Sequence, residues 1–485
     1  MHERVTDFFI YKWRYPLGYS LITALLVMVV GIAVFSTPGG LRIGEMDAAV
    51  KSAALSVESL EPAMVINLPY HVLQRVIFIV LGVTTITVKL PSLILGVLTV
   101  IGIFFLARIW FRRNVAVLTT ILAATSTQFL FLVQDGTPAI VYSFILIWLL
   151  LSGTLVTRGY MFNTFWKVVT GVLLASALYV PLGIYIVIAV VITAWLHPHI
   201  RHIVRHTSRL RFILALSLAT VFITPLVYAC IIDTTTLRTL LGVDVVNFAW
   251  GQSALNMWYA FAGFLTPATS YLVLPLYSLG MVVLMTIGLY RLWLQRHTAR
   301  SYVVFILGGL LLPFVFLDAS HVGNVFALAT ILMAYGMAYL ISTWYRLFPR
   351  NPYARIAGLI PLTILTLGMV YSGIIRYTHN YTYNPDVLSY YSDDLRLLDG
   401  TLAKYEPKTP ITLLTSTSEL PFYNVVAHYD TRFAATNSLP SSQPILIVTH
   451  AARQLAPEDA AINTIVASSR ASDADRFYIY KTSDK

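Results

Sequence analysis

Two acids, Glu45 and Asp47, stand in the segment Gly44-Glu-Met-Asp-Ala-Ala-Val-Lys-Ser-Ala-Ala54, directly after the first apolar run of the chain. Carboxylates are stabilised at a helix N-terminus by its dipole, and Asp47 can pair with Lys51 one turn further on. Held at a membrane face, a carboxylate can also take the proton from a hydroxyl as a general base. A third acid, Asp135, is alone in Gln134-Asp-Gly-Thr-Pro138, where it either opens a turn with Gly136 or joins the same chemistry. Other chemistries lack their signatures. There is no His-Glu-x-x-His and no Walker loop. The single cysteine, Cys230, excludes an internal disulfide and any Cys-x-x-Cys site. His197, His199, His202 and His206 resemble a metal patch, but they lie among Arg201, Arg205, Arg209 and Arg211. Attraction to anionic headgroups is the simpler reading. No metal ligand is assigned, and among cofactors a divalent metal is left open.

The elements that must position these acids follow from composition. Of 485 residues 57% are hydrophobic and 11% charged, with a mean hydropathy of +0.73. Soluble domains carry about a quarter charged residues, so a water-soluble globule is excluded, and so apolar a chain is not disordered. The net charge of +11 invites a nucleic-acid reading. Its distribution argues otherwise, because residues 1–375 carry +13 and residues 376–485 carry −2. The basic charge belongs to the apolar part, where loop cations set membrane orientation. No nucleic-acid partner is expected.

Runs of the length that crosses a bilayer predict eleven spans, near 17–36, 91–109, 115–133, 139–157, 167–179, 181–196, 212–231, 270–290, 302–317, 325–343 and 356–375. Pro181 divides the fifth from the sixth. With a cytoplasmic N-terminus the inner segments hold 18 Lys and Arg, against 5 in the outer segments before residue 376, as the positive-inside rule requires. The first span lacks a small-residue cleavage site behind it and reads as an anchor. Eight acids, Glu45, Asp47, Glu58, Glu61, Asp135, Asp233, Asp244 and Asp318, fall on the outer side, which places acid–base chemistry there. The outer loop 37–90 contains an amphipathic stretch at 69–82. His71, Gln74 and Arg75 share one of its faces and Leu73, Val76, Ile77 and Val80 the other, so it is expected to lie in the membrane interface. From 376 onward, β-rich runs (Ile411–Thr415, Ile445–Thr449, Arg476–Thr482) alternate with helical patterns such as Pro457–Ile465, which predicts a small α/β domain. The expected architecture is an all-α polytopic membrane domain over 1–375 with a C-terminal extracytoplasmic α/β domain over 376–485.

Asn67-Leu-Pro-Tyr-His-Val-Leu-Gln74, Leu81-Gly82 and Val88-Lys-Leu-Pro-Ser92 follow the acidic first loop in order. This succession resembles the GT-C glycosyltransferases, in particular the protein O-mannosyltransferase and aminoarabinose-transferase family. The likeness is clear over 40–140, extends as span pattern to about 375 and is absent from the tail. It implies an inverting transferase that uses a polyprenyl-phosphate-linked sugar at the outer face. The family's first-loop acid corresponds here to Asp47 or Glu45; Asp47, further into the helix, is the favoured base. The family's second acid, between the third and fourth spans, corresponds to Asp135. The usual basic residue before it is missing, and an acid often found after the proline is Ala139 here.

In such a reaction the leaving phosphate needs cations and the acceptor hydroxyl needs a base. Lys89, Arg75, Arg238 and His321 are the outer-side candidates for holding the phosphate, with His71 beside Arg75. The expected partners are a polyprenyl-phosphate sugar, a protein or glycan acceptor and membrane lipids. The small outer tail fits a prokaryotic cell membrane. A transporter or flippase for a lipid-linked glycan is the alternative, but transporters place ionisable groups near the bilayer midplane and show repeated halves, and neither feature is seen. A third reading is an inactive membrane part that anchors the tail.

Overall fold

In the computed structural model, residues 9–56, 61–159, 161–206, 209–243, 250–264, 268–348, 352–406, 409–439, 445–456, 461–468 and 475–481 are described. Glu58 and Asp244 lie outside them. The described residues form a helical membrane protein capped by a small sheet. Seven helices are long and apolar enough to cross a bilayer, and nine if each of two bent pairs is one span. The eleven predicted spans are thus not reached by length and composition. The run at 115–133 is one of the bent pairs, Arg113–Ala124 and Thr127–Gln134, set at 60°. Its break follows from Ser126, whose hydroxyl accepts the Phe129 N–H at 3.3 Å and starts a new helix. The turn around Pro181 separates Asn163–Ala177 from Ile184–Leu196, which have 15 and 13 residues. Leu279–Leu294 has 16. The helix expected to stop at 375 runs on to Tyr383, its continuation carried by the buried Tyr377 and Tyr381.

Two-thirds of the Ala139–Thr157 and Gly323–Leu347 spans is buried inside the protein, so these are the central helices. Small residues let neighbours approach, as lipid-embedded packing requires. Leu279–Leu294 lies so close to Phe326–Leu347 that a methyl group on Gly288 or Gly336 would collide with the carbonyl of Leu332 or Leu284.

The tail folds into a five-stranded sheet of order β2-β1-β3-β5-β4, with β1 at Ile411–Leu414, β2 at Phe433–Thr436, β3 at Ile445–Thr449, β4 at Ile462–Ala467 and β5 at Asp475–Lys481. β1 pairs parallel with β2 and β3, whereas β5 runs antiparallel to β3 and β4. The all-buried, β-branched runs of β1 and β3 suit the centre of a covered parallel sheet. The helical pattern read over 457–465 is corrected in part. Residues 457–460 lie outside the described ones, and from Ile462 the chain is β4, because Ile462, Thr464 and Ile465 pair with β5. The sheet core does not close on itself. Leu413, Phe422, Val426 and Ile447 share one cluster with Leu41, Ala49, Phe78 and Val88 of the first loop and second span, and the rings of Phe78 and Tyr429 lie 6.3 Å apart.

Candidate active site

Three segments from distant parts of the chain build the site: the start of helix Ile43–Ala54, the start of the Thr85–Trp110 span and the turn after Thr127–Gln134. Helix Ile43–Ala54 buries Glu45, Ala48, Ala49 and Ser52 along one face, the i, i+3, i+4, i+7 stripe of an amphipathic helix. Glu45 is fully buried. One of its oxygens accepts the Arg42 N–H at 2.7 Å, closing the helix start, and the other accepts the Gly136 N–H at 2.6 Å. The equally buried Lys89 ammonium lies 3.7 Å from that second oxygen. Burial raises the Glu45 carboxyl above the usual carboxylate range, and Lys89 pulls it back. Lys89 also donates to Gln134 Oε1 at 3.0 Å, and Gln134 Nε2 donates to Tyr391 Oη at 3.2 Å.

In front of this buried group stands a second ion pair. Arg42 Nη2 donates to both oxygens of Asp135, at 2.9 and 3.0 Å, and Thr137 Oγ1 donates to Asp135 at 2.7 Å. The guanidinium lies 4.1 Å above the Tyr271 ring. Burial works against the charge of Arg42, but the Asp135 carboxylate more than offsets this and raises its pKa above the ordinary value. Arg42, Asp135, Thr137, Gln128 and Tyr271 line a cavity of about 150 Å³. A larger apolar groove of about 860 Å³ follows the first two spans past Leu26, Val30, Leu93, Val97 and Phe104. Leu93 is one helical turn from Lys89.

The expected site residues divide between this cluster and other places. Glu45, Asp135 and Lys89 are brought together. Asp47 is exposed on the opposite side of its helix, as a residue two positions from the buried Glu45 must be at about 100° per residue; the preference for Asp47 over Glu45 is not supported by its position. His71 lies behind the cluster with Gln74. Ser52 Oγ is 2.7 Å from His71 Nδ1 and 2.6 Å from Gln74 Oε1, and Gln74 Nε2 donates to the Val88 carbonyl at 2.9 Å. The helix at Leu68–Leu81 therefore turns its polar face inward and leaves Val72, Val76, Ile79 and Val80 exposed. Arg75 is half-buried beside that face, and Arg238 is exposed on Thr234–Leu241, outside the cluster. His321 lies in the short 3-10 segment Ala319–Val325, whose Gly323 lines the cavity. Arg42, Gln134 and Tyr391 were not among the expected site residues. Among the described residues no group of three or more His, Cys, Asp or Glu could hold a metal ion.

Residues 69–228 match the dolichyl-phosphate-mannose-protein mannosyltransferase family. The crystal structure of ArnT from Cupriavidus metallidurans in the apo state is similar in fold, with a TM-score of 0.55 at 12% identity, over 96% of this chain and 98% of that one. ArnT bound to undecaprenyl phosphate aligns with a TM-score of 0.50 at 13% identity, over 95% and 97%. No curated protein is significantly similar in sequence. The fold is that of the GT-C membrane enzymes. Together with the family match it indicates a multi-pass membrane glycosyltransferase resembling the protein mannosyltransferases and ArnT.

Proposed function

We propose that this chain moves a sugar from a polyprenyl-phosphate donor to a hydroxyl on a protein or a cell-envelope glycan, at the outer face of a prokaryotic cell membrane. The observation that carries the reading is the Arg42–Asp135 pair lining the cavity, with Glu45 and Lys89 buried behind it. A donor phosphate competes with the Asp135 carboxylate for the Arg42 guanidinium, since both are anions that suit its donor fork. Its arrival frees Asp135 to face the acceptor. The acceptor oxygen then bonds to the anomeric carbon, the bond from that carbon to the phosphate oxygen breaks, and the electron pair leaves on the polyprenyl phosphate. The hydroxyl proton passes to Asp135. Glu45, held by two backbone N–H groups, fixes the Gly136 turn, and Lys89 adds positive charge behind the phosphate. Undecaprenyl phosphate bound to ArnT supports a lipid-linked donor, and the apolar groove beside Lys89 suits a prenyl chain. The surplus of basic residues on the inner loops supports an outward-facing site.

Mass spectrometry of lipids retained by the purified protein tests this, wild type beside Asp135→Asn. Enrichment of a polyprenyl-phosphate sugar in the variant, which binds but does not turn over, is the expected result. Bulk phospholipid alone in both samples overturns it.

A further inference from the structure

From the C-terminal part of the chain, Tyr391 reaches into the charged cluster. Its ring is buried, and its hydroxyl accepts the Gln134 amide N–H while Gln134 Oε1 accepts from Lys89. The order of groups is dictated by chemistry. An ammonium only donates, so the amide oxygen must face Lys89 and the NH₂ must face a group with lone pairs, which is Tyr391 Oη. The Tyr391 ring lies 5.7 Å from the same ammonium, within reach of a cation–π attraction. Tyr391 is held there by its neighbour: Leu41 and Ser392 exchange two backbone hydrogen bonds of 2.8 Å each. That bridge leaves no room for a side chain at Gly40, where an added Cβ would come within 2.7 Å of the Ser392 carbonyl. One two-bond bridge thus locates Arg42 on one strand and Tyr391 on the other.

We propose that Tyr391 is a positioning residue for donor binding, acting through Gln134 to hold the Lys89 ammonium toward the site of the phosphate. The inference rests on the reading of Arg42 and Lys89 as the phosphate-holding cations. Without the hydroxyl, the Gln134 NH₂ loses its acceptor. The amide is then oriented by Lys89 alone, and the ammonium is held less firmly toward the site of the phosphate.

The test is binding of a polyprenyl phosphate to the full chain in detergent, compared between wild type and Tyr391→Phe, which keeps the ring and removes one oxygen. A loss of about 5- to 10-fold in affinity is expected, the scale of one hydrogen bond between neutral groups, and the donor KM rises by more than kcat falls. Gln134→Met breaks the same relay from the membrane side and gives a similar loss. In a Lys89→Met background Tyr391→Phe causes no further loss. A Tyr391→Phe protein that binds like wild type, or that loses as much affinity without Lys89 as with it, overturns the proposal alone. A wild type that does not bind polyprenyl phosphate overturns the functional reading and this inference with it.

Discussion

Arg42 and Asp135, 93 positions apart in the chain, meet through one guanidinium nitrogen that reaches both carboxylate oxygens at 2.9 and 3.0 Å. The pair is largely shielded, with side-chain exposures of 16% and 3%, so neither charge is screened as a surface charge would be. Each partner neutralises the other until a third charged group arrives.

Asp135→Asn keeps the size of the side chain and removes its basicity. Sugar transfer is expected to fall by about 10²- to 10⁴-fold, the range for loss of a general base, with a lowered Tm as well, because the shielded Arg42 guanidinium loses its charged partner. Asp47→Asn, altering an exposed group, is expected to change turnover by less than about twofold. Parallel rate measurements decide the assignment. The opposite ranking would return the role of base to Asp47.

Arg42→Lys retains a charge but loses the planar fork. The donor KM is expected to rise by about 10-fold, since each 1.4 kcal/mol of lost contact is a factor of ten. Initial rates over a range of donor concentration check it, and an unchanged KM would remove Arg42 from the phosphate site.

Glu45→Gln leaves the Lys89 ammonium buried beside a neutral amide. Removing one member of a buried pair costs about 3–5 kcal/mol. Because both Glu45 oxygens accept backbone N–H groups whereas an amide offers only one oxygen, the expected loss lies at the upper end. Unfolding in detergent would show it as a lowered Tm, and Glu45→Gln with Lys89→Met together should recover part of the loss.

His71 supplies a pH dependence. Burial first, and Lys51 second, lower its pKa to about 4, whereas an unfolded histidine titrates near 6.5. Between these values the unfolded chain binds the extra proton and the folded chain does not, so stability falls as the pH drops from 6.5 toward 4. At pH 5 the loss is about 2 kcal/mol at 1.36 kcal/mol per unit. His71→Gln should flatten the fall in Tm between pH 7 and pH 5; an equal fall in both proteins would rule His71 out as its source.

Much of this site could be read from residue types and order. Glu45 stood out as one of two acids after the first apolar run, Asp135 as the one acid of its loop and Lys89 as the cation of Val88-Lys-Leu-Pro-Ser92, and all three converge. The choice within Glu-Met-Asp was also open to reading. The small residues Ala48, Ala49 and Ser52 continue the helical stripe that begins at Glu45, which marks the buried face and leaves Asp47 off it. Arg42 was visible only as one more outer-side cation, because no local rule links it to a residue in a turn two spans later. Tyr391 carried no signal at all. It is one of 29 tyrosines, and only the Leu41–Ser392 bridge gives it a role. The span count of eleven is not confirmed for a different reason: with each bent pair taken as one span the count is nine, and the two runs left over fold as helices of only 15 and 16 residues, Asn163–Ala177 and Leu279–Leu294.

The core shared by the tail sheet and the first loop has a consequence for how the protein is made. Leu41, Ala49 and Phe78 leave the ribosome early, but their packing partners Ile411, Ile447 and Phe477 come near the far end of the chain. Until β5 has been synthesised, the loop bearing Arg42 and Glu45 has no complete surface to fold against, however many spans have already been inserted. Synthesis itself therefore delays assembly of the site until the sheet can close over it, and a nascent chain arrested before residue 475 would be inserted in the membrane but inert.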